Sequence, residues 1–134
     1  MDALVRRLSG CRVLLVEDEY LIGEDIKRAL ERVDVEVIGP VPTLDEALAQ
    51  LAATTVDVAV VDIKLGGEMA YPLADELAAR RIPFIFATGY REDHIPERHR
   101  HVPRWHKPFD VDEFAERVLD LCPPFLRDAL ATRL

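Results

Sequence analysis

Five polar residues stand at the ends of short apolar runs, and their types fit one chemistry. Glu17 and Asp18 follow Val13-Leu-Leu-Val16, Asp62 follows Val58-Ala-Val-Val61, Thr88 follows Phe84-Ile-Phe-Ala87, and Lys107 follows a weaker run around 103–106. Short runs of β-branched, aliphatic or aromatic residues read as strands buried on both faces. The residue after such a strand has left the core and stands at its carboxyl end, the edge where open α/β sheets bind ligands. Carboxylates gathered there repel one another, and a hard divalent cation relieves the repulsion. Mg²⁺ takes oxygen ligands and keeps several waters, so a few carboxylates and a backbone carbonyl suffice as protein ligands. A site of this kind suits phosphoryl transfer, which needs an in-line nucleophile and cations on the phosphoryl oxygens. Asp62 is then the nucleophile, forming an acyl phosphate. Lys107 pairs with the phosphate as a point charge, and the Thr88 hydroxyl donates a hydrogen bond to it. A dianion placed there draws Thr88 and its loop inward, which makes a switch. Each residue alone has a plain structural explanation, as turn, cap, strand or surface residue; the five together point to a site.

The intervening sequence supplies the elements that must position these residues. A first strand over 12–17 precedes a helix with Ile22, Ile26, Ala29, Leu30 and Val33 on one face, and Asp18 is placed to cap it. A second strand covers 35–39, with Gly39-Pro40 expected to stop it. Thr43 and Glu46 form a capping box that opens a helix carrying Leu44, Ala47, Leu48 and Leu51 inward. The third strand, 56–61, delivers Asp62, and a loop of about eight residues with the turn-forming pair Gly66-Gly67 follows. Pro72 suits a first helical turn. The fourth strand ends at Thr88-Gly89, residues 91–101 give the weakest helical pattern, and a short fifth strand ends at Lys107-Pro108. The last helix begins near Asp110 and buries Val111, Phe114, Ala115, Val118 and Leu119, and Pro123-Pro124 ends it. Strands alternating with helices imply a doubly wound α/β fold with five parallel strands, order 2-1-3-4-5, covered on both faces.

Composition narrows the functions such a fold can serve. The 134 residues suit one domain. They are 49% hydrophobic and 31% charged, the profile of a globular domain. The formal net charge of −8 opposes nucleic-acid phosphates, so direct DNA or RNA binding is not expected. The longest apolar runs are of about four residues, far below a membrane span, and the broken pattern of residues 1–10 is no signal peptide. A cytoplasmic location is therefore expected. For such a compartment Cys11 and Cys122 read as buried reduced thiols rather than a disulfide.

Taken together, Val13-Leu-Leu-Val-Glu17-Asp18-Glu19, Val60-Val-Asp62, Phe86-Ala-Thr88-Gly and Lys107-Pro108-Phe109 resemble the receiver domain of two-component response regulators over residues 12–122. The resemblance implies that Asp62 is the phospho-acceptor. It implies that Glu17, Asp18, Asp62 and the carbonyl of Lys64 hold Mg²⁺, and that Thr88 and Lys107 are the switch and phosphate contacts. It also implies a commonly cis Lys107-Pro108 bond. The phosphodonor would be a sensor histidine kinase or phosphotransfer protein, and the output a downstream protein partner. The chain would be a phospho-acceptor rather than an enzyme acting on a separate substrate. Phe86-Ala-Thr-Gly-Tyr90 resembles a narrower group of stand-alone receivers named FATGUY after that motif. Receivers usually carry Tyr or Phe three residues before the lysine, where this chain has Arg104, so Tyr90 becomes the candidate switch aromatic.

The domain is thus expected over 12–122, with an N-terminal extension 1–11 and a C-terminal amphipathic extension 123–134. That last segment carries Leu126, Leu130 and Leu134 at helical spacing; packing back on the domain and pairing as a homodimer are both open to it. With no output domain following, the expected function is a single-domain regulator that switches protein–protein interactions or serves as a phosphate sink. The rival is an adaptor of the same fold that works without phosphorylation. A Mg²⁺ phosphatase of related topology would place an acid two residues after its nucleophile, where this chain has Lys64. His94, His99, His101 and His106 lie in a stretch, 91–107, with five basic residues against three acids. It reads as a solvated polar surface, with partner contact its functional alternative.

Overall fold

The computed structural model describes residues 10–89 and 94–123. Its elements are β1 (Arg12–Val16), α1 (Tyr20–Arg32), β2 (Glu36–Val41), α2 (Leu44–Ala53), β3 (Val58–Val61), β4 (Lys64–Leu65), β5 (Glu68–Met69), α3 (Tyr71–Ala79), β6 (Phe84–Thr88), a 3₁₀ turn (Glu97–His99), β7 (Arg104–His106) and α4 (Val111–Leu121). Five strands form a parallel sheet in the order β2-β1-β3-β6-β7. This is the expected doubly wound arrangement.

Alternation along the central strands explains the two cores. Val13 and Leu15 of β1, with Val58 and Val60 of β3, join Ile26, Leu30, Phe114 and Val118 of α1 and α4 on one face. Leu14, Val16, Ala59 and Val61 join Leu51, Leu73 and Leu77 of α2 and α3 on the other. All four residues of β3 are buried, because helices cover both faces of a parallel sheet. Thr43 caps α2 as expected, its Oγ1 accepting from Glu46 N at 3.1 Å. Asp110 caps α4, accepting from the N–H groups of Asp112 and Glu113 at 3.0 Å each.

Five expectations need correction. Gly39-Pro40 does not stop the second strand, which runs on to Val41 with a register shift against β1 between Leu14 and Val16. Gly39 makes this passage because its φ is +117° and a Cβ there would lie 2.5 Å from the Leu15 carbonyl oxygen. Asp18 does not cap α1; Glu19 holds the N-cap position without a side-chain cap, and Asp18 turns elsewhere. The loop after Asp62 contains a two-stranded antiparallel hairpin, β4 to β5, turning at Gly66 with φ +61°. The described residues of 91–101 contain no α-helix and include the three-residue 3₁₀ turn Glu97–His99, since Ile95 and the interrupting Pro96 leave no continuous apolar face. The cysteines are disulfide-bonded, Cys11 to Cys122, with a Cα–Cα distance of 6.0 Å. Expected compartment had argued for thiols, but the start of β1 and the end of α4 lie at the same sheet edge, which brings both within bridging range. The peptide bonds Gly39-Pro40 and Lys107-Pro108 are cis, the second as the resemblance implied.

Candidate functional site

Strand register brings the five expected residues together. Val16 of β1 is paired with Val61 of β3, so Glu17 and Asp62 emerge side by side, and Asp62 N donates to Val16 O at 3.0 Å. Val61 is paired with Phe86 of β6, and Thr88 with His106 of β7. Lys107 therefore leaves β7 beside Thr88, its N–H donating to the Thr88 carbonyl at 3.1 Å.

At this edge Glu17, Asp62 and Thr88 are only 3%, 5% and 1% exposed. The Lys107 ammonium lies 2.5 Å from Glu17 Oε1, 3.0 Å from Asp62 Oδ2 and 3.2 Å from Glu19 Oε1. Carboxylate oxygens of Glu17, Asp18, Glu19 and Asp62 all lie within 4.8 Å of one another. Asp62 Oδ1 accepts from Lys64 N at 3.4 Å. Asp18 Oδ2 accepts from Gly66 N at 2.9 Å, which ties the hairpin turn to the site. Asp18, Glu19, Asp62, Lys64, Gly66, Thr88 and Gly89 line an open cleft of about 430 Å³.

The electrostatics follow from this crowding. Burial, with the neighbouring Asp62 carboxylate, pushes the Glu17 carboxyl up to about 8 against the pull of the Lys107 ammonium. Burial works to lower the Lys107 pKa, but hydrogen bonds to Glu17 and Asp62 outweigh it and hold the ammonium above its ordinary value. One lysine thus serves a cluster of four carboxyl groups, Glu17, Asp18, Glu19 and Asp62, and even with Glu17 holding a proton the excess of acids over the single ammonium suits a divalent cation. The donor set is all oxygen, as a hard cation such as Mg²⁺ or Ca²⁺ requires. Glu19 was quoted in the sequence motif without a role; only its adjacency to Glu17 and Asp18 hinted at one. Tyr90, the candidate switch aromatic, lies outside the described residues.

The histidines divide. His94, His101 and His106 are exposed, but His99 is buried, which corrects the reading of the whole stretch as surface. Its Nε2 lies 2.7 Å from Asp75 Oδ1, and Tyr71, Phe84 and Phe86 surround the ring. Arg98 grips the same carboxylate at 2.7 and 3.1 Å. Ile95 had marked the apolar side of this segment, but the register that buries His99 is set by α3 and β6.

Several known proteins are similar to this chain in sequence and fold. The sensory transduction protein LytT of Bacillus cereus is 34% identical over 82 residues, covering 59% of this chain and 33% of that protein. The chain spans about a third of the length of the curated relatives it matches. The solution structure of SdrG from Sphingomonas melonis Fr1 matches with a TM-score of 0.72 at 40% identity, over 84% of this chain and 96% of that one. The response regulator TrrA of Thermotoga maritima, in complex with Mg²⁺–BeF, matches with a TM-score of 0.70 at 25% identity, over 83% and 98%. No described helix is long and apolar enough to cross a membrane. Residues 13–118 match the response regulator receiver domain, and the chain belongs to that family of phospho-accepting domains of two-component signalling.

Proposed function

We propose that this chain accepts a phosphoryl group on Asp62 in a Mg²⁺-dependent reaction with a sensor histidine kinase or phosphotransfer protein, and thereby switches its binding to a downstream protein. The observation that carries this reading is the position of Asp62: nearly buried, within 4.8 Å of three further carboxylates, and 3.0 Å from the Lys107 ammonium. Glu17, Asp18, Asp62 and the carbonyl of Lys64 would hold Mg²⁺, which supplies neutralisation of charge on the transferring group. A similar protein, TrrA, is known with Mg²⁺ and BeF bound.

In the transfer, an Asp62 carboxylate oxygen forms the new O–P bond as the donor's N–P bond breaks, and the leaving imidazole takes up a proton. Lys107 shifts from the Asp62 carboxylate to a phosphoryl oxygen, since its ammonium already reaches both sides of the site. Thr88, lining the same cleft, donates its hydroxyl to another phosphoryl oxygen and carries the change into the loop after β6. Tyr90 would follow it, as the resemblance to the FATGUY group of stand-alone receivers suggests. Tyr20 and Leu21, 75% and 76% exposed directly after Glu19, offer the donor an apolar footing beside the cleft.

Intact-mass measurement after incubation with acetyl phosphate tests the chemistry. The expected result is a gain of one phosphate that needs Mg²⁺ and disappears in Asp62→Asn. No gain from acetyl phosphate or a histidine phosphodonor, together with no Mg²⁺ binding, would favour the phosphorylation-independent adaptor instead.

A further inference from the structure

We propose that residues 124–134 dock in cis in an apolar groove at the sheet edge opposite the carboxylate cluster. Two cavities there, of about 390 and about 230 Å³, share Pro103 and Leu121 in their walls. Ile82, Phe84 and Val102 line the first, and Trp105 lines the second. Pro103 directly precedes β7, and Ile82 lies just before β6, so the groove runs beneath the entering ends of these two strands.

The occupant follows from where the chain leaves α4. Leu121, the last residue of that helix, is itself a wall of both cavities, and two residues later the chain passes into 124–134. Cys122 is bonded to Cys11, which fixes this departure point at the same edge. The segment Pro124-Phe-Leu-Arg-Asp-Ala-Leu-Ala-Thr-Arg-Leu134 repeats leucine every four residues at 126, 130 and 134, with Phe125 beside the first. That is an apolar stripe for an apolar groove. A tether this short holds the segment at an effective concentration in the millimolar range, which a second copy would have to match. The other terminal segment, 1–9, leaves from beside Cys11, whose Cα is 6.0 Å from that of Cys122, but neither Gly10 nor Cys11 lines either cavity, whereas Leu121 lines both.

Trp105 is the chain's single tryptophan and lies half-buried in the groove, so its fluorescence reads the docking directly. Emission and acrylamide quenching are compared for the full chain, a chain truncated after Pro123, a chain lacking 2–9, and the full-length double variant Leu126→Asp, Leu130→Asp. Far-UV circular dichroism shows that each is folded. The expected result is a red shift and stronger quenching for the truncation and the double variant, no change on removing 2–9, and no dependence on protein concentration. If the truncated chain does not fold, the full-length double variant decides. Emission unchanged in the folded variants overturns the proposal. So does a shift produced by removing 2–9, or one that follows dimer dissociation in sedimentation, which would make a second copy the occupant.

Discussion

Lys107 is the residue on which the charge balance of the site turns. It neutralises part of a cluster whose other members are all acids, and its side chain is only 11% exposed. Replacing one partner of a buried ion pair leaves the others uncompensated, which typically costs 3–5 kcal/mol. Glu17 escapes part of that cost by holding a proton, as its raised pKa shows. Lys107→Met is therefore expected to destabilise the metal-free chain by about 3 kcal/mol, at the low end of that range. Added Mg²⁺ should recover much of the loss, and thermal melts with and without the cation check both parts. Away from the site, the Asp75 carboxylate holds both Arg98 and the buried His99. Hydrogen bonds from Arg98, and then from His99, lower its pKa below the ordinary 3.8. A depressed carboxylate contributes stability that is present above the unfolded value and lost as pH falls through the folded one. Asp75→Asn is thus expected to flatten the fall of the urea midpoint below about pH 3.8, which urea denaturation across the acid range checks.

Among the elements, β2 is the one that depends on a single backbone conformation. Its path past β1 needs Gly39 at positive φ, with the Leu15 carbonyl where a Cβ would otherwise be. Gly39→Ala is expected to destabilise by more than about 2 kcal/mol, because it adds backbone strain to a close approach. Gly23 in α1 makes room for the next residue of the strand, since a Cβ there would meet the Pro40 ring at 2.9 Å. The helix caps are individually smaller. Asp110→Ala removes an acceptor for two N–H groups of α4 and should cost about 1–2 kcal/mol, against about 1 kcal/mol for Thr43→Ala in α2. Chemical denaturation of the three variants gives the order directly: Gly39→Ala lowest, Thr43→Ala closest to the parent.

For the molecule as a whole, the Cys11–Cys122 bond joins the first strand to the last helix across a separation of 111 residues. A closed loop of that length constrains the unfolded chain by roughly 4–5 kcal/mol in the chain-entropy account, an upper value because unfolded chains keep some structure. Reductant is expected to lower the melting temperature of the parent by several degrees and to leave that of Cys122→Ala unmoved. The same bond holds α4 against β1 on the face opposite α2 and α3, so its loss should be felt first in the last helix. Hydrogen exchange should therefore show α4 losing protection before β3.

The local signals in the chain were enough for the architecture and for most of the site. Short apolar runs of period-independent burial marked the central strands, and residues directly after them, Glu17, Asp18, Asp62, Thr88 and Lys107, could be placed on one edge because parallel strands all end there. The Thr43 cap was equally legible, since a cap acts within three or four residues of itself, and the start of the last helix was placed near Asp110. What folding alone decided were contacts between segments far apart in the chain. The strand passing through Pro40 depends on Leu15, the burial of His99 depends on Asp75 and the rings of Tyr71, Phe84 and Phe86, and Asp18 turns to Gly66 instead of capping its own helix. The disulfide is the plainest case: two cysteines 111 residues apart carry no mutual signal until a sheet edge brings them to the same place.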